Sequence, residues 1–291
     1  MLQIIYLKLI LTMAIWGGTF VVGRIISQNL DPFASGFGRF AIASVFIGLF
    51  LSYRQNKLEK LNSRQILLVI CLGLSGVLAY NLCFFLGLRE ISASRAGLII
   101  AFNPVCITVA SSILFRERLT YLKAIGVVIS LLGTILIITE GNFSTLFQSV
   151  ARGELFILGC VASWVVYSLV GKLAMRELSA LTTTAYAIWS GTVMLLPFAI
   201  WEQNNRFPRI ELMTGLGLAY LGILATTIAF NWYYEGINTI GAAKTAIFIN
   251  LVPVFAIVFG RIFLQESLSA IALIGGGLVI WGVSLVNRQN V

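Results

Sequence analysis

Histidine is absent from the chain, and carboxylates are scarce at eleven Asp and Glu against twenty Lys and Arg. Without histidine the commonest metal ligand and the usual neutral-pH proton shuttle are both missing. The four cysteines, Cys71, Cys83, Cys106 and Cys160, all fall inside apolar runs, and none forms a Cys-x-x-Cys pair. That argues against disulfides and against a zinc site. No Gly-Lys-Ser/Thr phosphate loop occurs, so the chain has no ATP motor of its own. No cofactor is called for. Charge itself is the largest deficit: 11% of the residues are charged, where soluble domains carry about 25%.

What fills the chain is apolar, 59% of 291 residues. A membrane-spanning helix needs ~20 apolar residues, so this length holds about ten spans and leaves no soluble catalytic domain. Polar clusters divide it into helices at Ile4 to Gly23, Phe33 to Tyr53, Ile66 to Leu88, Ala93 to Phe115 and Tyr121 to Thr139. Five more follow at Leu155 to Leu173, Leu181 to Trp201, Leu212 to Tyr234, Ala242 to Leu264 and Leu268 to Val286. The first is a span and not a signal peptide, because no small-residue cleavage site follows and the apolar run continues through Trp16 to Val22.

The net charge of +9 is scattered singly between apolar segments instead of forming a stripe, which speaks against a nucleic-acid partner. Its meaning is topological. Twelve bases, among them Lys8, Arg54, Lys57, Lys60, Arg64, Arg176 and Lys244, gather on one face, and the other eight, among them Arg24, Arg39, Arg89 and Arg261, on the opposite one. The Lys/Arg bias of short loops makes the first face cytoplasmic and puts both termini inside, in a multi-pass inner (plasma) membrane protein surrounded by lipid.

The halves repeat. Ala14-Ile15-Trp16 with Gly23-Arg24 recurs as Ala162-Ser163-Trp164 with Gly171-Lys172, 148 residues on. Asn81 and Gly87 match Asn231 and Gly236, Arg95 matches Lys244, and Pro104, Glu117, Gly126 and Gly133 match Pro253, Glu266, Gly275 and Gly282. The expected fold is an all-α integral membrane protein of two five-helix repeats, residues 1–142 and 143–291. An odd number of spans inverts the second against the first, the arrangement of secondary transporters that open alternately to each side.

Several motifs resemble the ten-span EamA-type branch of the drug/metabolite transporter superfamily. They are Trp16-Gly17-Gly18-Thr19-Phe20, Arg39-Phe40, Ser94-Arg95-Ala96-Gly97 before Asn103-Pro104, and the turns Phe115-Arg116-Glu117-Arg118-Leu119 and Leu264-Gln265-Glu266-Ser267-Leu268. The chain is similar to the aromatic amino acid exporters of that superfamily. One departure is Val165-Val166-Tyr167, where the family usually has a small polar residue after the tryptophan. The resemblance implies export or facilitated passage of amino acids or related metabolites. It also implies a central cavity between the first, third, fourth, sixth, eighth and ninth helices.

Candidate transport residues follow. Pro104 and Pro253 sit at matching mid-span positions and free the carbonyls of Ile100 and Ile249. Matched interruptions in two halves point to a substrate site, and Asn103 and Asn250 beside them offer amides to a carboxylate or amine. Tyr80 and Phe84, like Phe230 and Tyr234, are four residues apart and share a helix face. With Trp16, Trp164 and Tyr167 they form an aromatic enclosure for a planar or apolar substrate, able to hold a cation. Tyr6, Tyr53, Tyr121 and Trp201, near span ends, read as interface anchors.

Arg39, Arg95, Lys244, Arg261 and Glu235 lie just inside span ends, where a charge needs a partner or water. Snorkelling to the headgroups explains Lys244 and Arg261. Arg39 has Ala187 as its counterpart, so pairing with helix ends or gating accounts for it better, and Glu235 is the one candidate proton carrier. Glu117 and Glu266 read as helix caps. The glycines of the last helix in each half, Gly126, Gly133, Gly275, Gly276, Gly277 and Gly282, serve either packing within the bundle or a homodimer contact.

A channel and an intramembrane enzyme are the rival classes. The first lacks a filter loop or a ring of like charge, and the second lacks a mid-depth nucleophile, metal cluster or carboxylate pair.

Overall fold

In lipid a backbone finds no water, so a chain this apolar satisfies its N–H and C=O groups within helices. The computed structural model describes residues 2–54, 60–91, 93–116, 120–139, 141–143, 152–203, 210–264 and 270–287. Among the described residues, six helices are long and apolar enough to cross a membrane. We number the helices α1 (Leu2–Asn29), α2 (Pro32–Arg54), α3 (Ser63–Glu90), α4 (Ala93–Ile100), α5 (Asn103–Phe115), α6 (Tyr121–Thr139), α7 (Arg152–Ala174), α8 (Ala180–Gln203), α9 (Leu212–Ile240), α10 (Ala242–Ala246), α11 (Leu251–Leu264) and α12 (Ala270–Asn287). The Glu117 and Glu266 turns, and the loop charges Lys57, Glu59, Arg118 and Arg288, lie outside the described residues, as do the side chains of Arg95 and Arg261.

Two segments expected as single helices are broken. Ala93 to Phe115 divides into α4 and α5 at Ala101-Phe102, and Ala242 to Leu264 divides into α10, a 3₁₀ turn over Ile247–Asn250, and α11. The reason is proline chemistry. Pro104 is the second residue of α5 and Pro253 the third of α11, positions in a first turn where a missing N–H costs nothing. The interruptions are thus breaks, not kinks. The carbonyl of Ile249 is not left free, since it accepts from the N–H of Leu251.

Two of the long helices carry a π-helical stretch at mid-length, Gly73–Ala79 in α3 and Tyr220–Ile228 in α9. Hydroxyls serve the loosened carbonyls. Thr226 Oγ1 donates to Leu221 O at 2.7 Å and Thr227 Oγ1 to Gly222 O at 3.0 Å. A Cβ on Gly76 would lie 2.1 Å from the Tyr167 ring, so glycine is what lets α7 approach α3.

Several contacts join positions that the sequence comparison pairs. Ser44 of α2 shares a hydrogen bond of 2.8 Å with Thr192 of α8, its equivalent 148 residues on. In α6 and α12, Gly126 faces Gly282 while Gly133 faces Gly275, with a Cβ at Gly133 falling 2.6 Å from Gly275 O. Four of the six expected glycines therefore pack within the chain. A Cβ on Gly277 would meet no other helix within 4 Å.

Of the expected interface aromatics, Tyr53, Tyr121 and Trp201 are 88%, 81% and 76% exposed. Tyr6 instead stacks on Phe248 with centroids 5.9 Å apart. Lys244, expected to snorkel, is 8% exposed as a residue on the short helix α10.

Candidate substrate cavity

Aromatic side chains at helical spacing build the site. Trp16 stands on α1, Tyr80 and Phe84 on α3, Trp164 on α7 and Phe230 on α9, and all five line one cavity. Arg39 from α2, Thr19 and Phe20 from α1, and Ile100, Asn103, Ile249 and Val252 from the two broken helices complete its wall. Counting its open mouth, it encloses about 490 Å³ of space free of protein atoms. Its helices are those the family resemblance implies, with α2 added through Arg39.

Trp164 is the hub. Its ring lies 5.2 Å from Trp16, 5.3 Å from Tyr80 and 5.3 Å from Phe230, centroid to centroid, in edge-on or tilted geometry. Such pairs add ~0.5–1.5 kcal/mol each beyond their buried area. Trp16 is further held by its indole N–H, which donates to Ala225 O at 3.0 Å in the π stretch of α9. Cys160 Sγ donates to Tyr80 O at 3.4 Å. All four cysteines are free thiols.

Arg39 is 4% exposed. Its Nε donates to Thr226 Oγ1 at 2.7 Å and its Nη1 to Asn81 Oδ1 at 3.1 Å, and the guanidinium carbon sits 5.9 Å from the Phe230 ring centroid. Thr226 stands within the π stretch of α9. Neither Thr226 nor Asn81 was singled out as a site residue from the sequence. The signal available there was only that a buried arginine must find acceptors, which does not say which ones.

Other expected site residues stand outside this wall. Tyr167 and Tyr234 stack on one another at 4.8 Å behind Trp164, with Tyr234 O–H donating to Tyr167 O at 3.1 Å. Asn250 Nδ2 donates to Ser130 Oγ of α6 at 2.8 Å, which spends it on packing. Pro104 and Pro253 are not part of its wall, but they stand in the first turns of α5 and α11, next to the breaks beside which Asn103, Ile249 and Val252 line it. Glu235 accepts from Lys8 Nζ at 2.5 Å and from Asn231 Nδ2 at 2.9 Å, joining α9 to α1 away from the aromatic cluster.

Comparison with known proteins bears on what such a cavity serves. The sequence profile of the EamA-like transporter family matches twice, at residues 3–139 and 151–288. An "Uncharacterized transporter" of Archaeoglobus fulgidus is 30% identical over 285 residues, covering 98% of each chain. A "Probable terminal-alkyne amino-acid exporter" of Streptantibioticus cattleyicolor is 26% identical over 283 residues, covering 97% of this chain and 93% of that one. A solved crystal structure superposes with a TM-score of 0.77 at 20% identity, covering 97% of this chain and 98% of that one, a likeness of fold alone. Two profile matches spanning nearly the whole sequence, laid over long apolar helices around an aromatic cavity, show that the chain belongs to the EamA-like transporter family and is a multi-pass transport protein of the inner membrane.

Proposed function

We propose that the protein is a secondary carrier that exports small metabolites, amino acids or close relatives of them, by alternating access through the aromatic cavity. In this reading α4–α5 and α10–α11 each count as one span, giving ten. The halves 1–142 and 143–291 are inverted five-helix repeats, and both termini are cytoplasmic.

The reciprocity of the contacts between halves carries the reading. In a two-fold arrangement residue i meets the mate of j while j meets the mate of i. Gly126 meets Gly282, the mate of Gly133, and Gly133 meets Gly275, the mate of Gly126. Trp16 meets Trp164 and Ser44 meets Thr192, each its own mate. Two similar units related in this way, with a site at their junction and a broken helix in each, are built to rock against one another about that site. The relative named as an amino-acid exporter supports the cargo class.

The test is counterflow. Purified protein in liposomes, loaded with unlabelled amino acids and exposed to labelled aromatic and small neutral ones, is expected to show saturable exchange that Trp164→Ala abolishes. Absence of exchange for every amino acid would move the cargo to other metabolites, and exchange untouched by Trp164→Ala would place the path elsewhere.

A further inference from the structure

An aromatic cavity by itself does not say which chemical group of a cargo it grips; Arg39 does. A guanidinium carries five N–H donors, and the two hydrogen bonds it makes here go to neutral acceptors, Thr226 and Asn81. Among the described residues the ion pairs are Lys8–Glu235, Arg64–Glu177, Arg89–Asp31 and Arg152–Glu90, and none includes Arg39. A cation at this depth without a counter-charge is costly.

The fold does not require that cost. At the equivalent place in the second half stands Ala187, fully buried and uncharged. Asn231, the mate of Asn81, then has no arginine to meet and donates to Glu235. The cation belongs to one half only, and it faces the cavity.

A second group in the same wall lacks a partner. Asn103 is 2% exposed, lines the cavity, and its Oδ1 accepts no hydrogen bond within the protein. A buried acceptor left alone costs ~1–3 kcal/mol. Cation and orphan acceptor together describe the polar complement of a molecule with one anionic end and one N–H donor.

We propose that Arg39 binds the carboxylate of the cargo and that Asn103 Oδ1 accepts from its amine, so that the substrates are carboxylates with a flat or apolar body. Guanidinium and carboxylate can pair through two parallel N–H···O bonds, each about twice as strong as a bond between neutral groups. The body lies among Trp16, Tyr80, Phe84 and Trp164, whose faces take planar groups. This rests on the carrier reading above, and the experiment separates the two.

Trp16 and Trp164 in the wall make tryptophan fluorescence a binding readout independent of transport. The probes are 3-phenylpropionate, its amide, phenethylamine and L-phenylalanine, each titrated against the purified protein and used to compete in phenylalanine counterflow. The two carboxylates are expected to bind, the amide and amine about tenfold to a hundredfold more weakly. Arg39→Gln is expected to bring acid and amide within about twofold of one another, and Arg39→Lys to retain part of the preference, because it keeps the charge and loses the fork. Asn103→Ala is expected to remove the advantage of phenylalanine over 3-phenylpropionate. Equal binding of acid and amide by the unaltered protein, or binding of none of the four, overturns the proposal without needing any variant to fold. Carboxylate binding without counterflow keeps the Arg39 site and removes the carrier reading. Counterflow that favours the amide does the reverse.

Discussion

Trp16 and Trp164 meet edge to face, ring centroids 5.2 Å apart and planes 87° to one another, although 148 residues separate them. Each is the other's counterpart in the proposed repeat, so in that reading the contact falls where the two halves join. Truncating either ring is expected to lower counterflow by at least about tenfold while leaving the folded fraction intact. A double-mutant cycle on thermal stability in detergent is expected to return ~0.5–1.5 kcal/mol of coupling. Additive single effects would show that the rings touch without mattering to one another.

Lys8 and Glu235 tie α1 to α9 through a bond of 2.5 Å, with side chains 30% and 29% exposed. A pair that wet contributes little to stability, ~0–1 kcal/mol. Glu235→Gln is therefore expected to leave the melting temperature within about two degrees and to abolish any response of transport to a pH gradient. Gradient dependence that survives the substitution would remove Glu235 as proton carrier. The exchanged pair Lys8→Glu with Glu235→Lys is expected to restore the transport rate if the contact acts as a latch.

Gly133 and Gly277 make opposite predictions. A Cβ at Gly133 would sit 2.6 Å from Gly275 O and 2.8 Å from Val279 N, backbone atoms that cannot swing aside. At Gly277 it would meet nothing. Gly133→Ala is expected to destabilise by ~1–3 kcal/mol through forced separation of α6 and α12, and Gly277→Ala to be neutral or slightly stabilising because alanine is the better helix former. Thermal unfolding in detergent measures both. A loss of self-association in Gly277→Ala, read by light scattering, would instead mark α12 as a contact between copies.

Asn103 and Asn250 look equivalent beside their prolines and are used differently. Asn250 Nδ2 donates to Ser130 while Asn103 lines the cavity, and the Oδ1 of each accepts no hydrogen bond within the protein. Asn250→Ala is expected to cost about 1 kcal/mol of stability, the worth of a buried hydrogen bond, with substrate affinity unchanged. Asn103→Ala is expected to weaken substrate binding without loss of stability, since it removes an acceptor that the protein leaves unpaired. The reverse pattern would exchange their roles.

Composition and spacing already contain much of this protein. A chain with 11% charge must be helical in lipid, and Trp16, Tyr80, Phe84, Trp164 and Phe230 were recognisable because helical spacing puts each on a face with its neighbours. The paired prolines marked two interruptions, since a missing N–H acts locally. They did not reveal breaks: whether a proline kinks a helix or starts a new one depends on where Ala101-Phe102 and Ile247–Asn250 can place their hydrogen bonds, which the surrounding helices decide.

Arg39 shows the boundary between the two levels. Its charge, and the alanine opposite it in the repeat, stand in the sequence. That it points into the aromatic cavity toward Thr226 and Asn81, 187 and 42 residues away, follows from the π stretch of α9 and the packing of α2 against α3. Tyr167, Tyr234 and Asn250 have the same composition signal as the cavity residues and stand behind it. Helical periodicity assigns a side chain to a face, but the neighbour covering that face is set by contacts between residues far apart in the chain. The class of this protein was therefore decided by what the sequence is made of, and the wall of its cavity only by how the helices close around it.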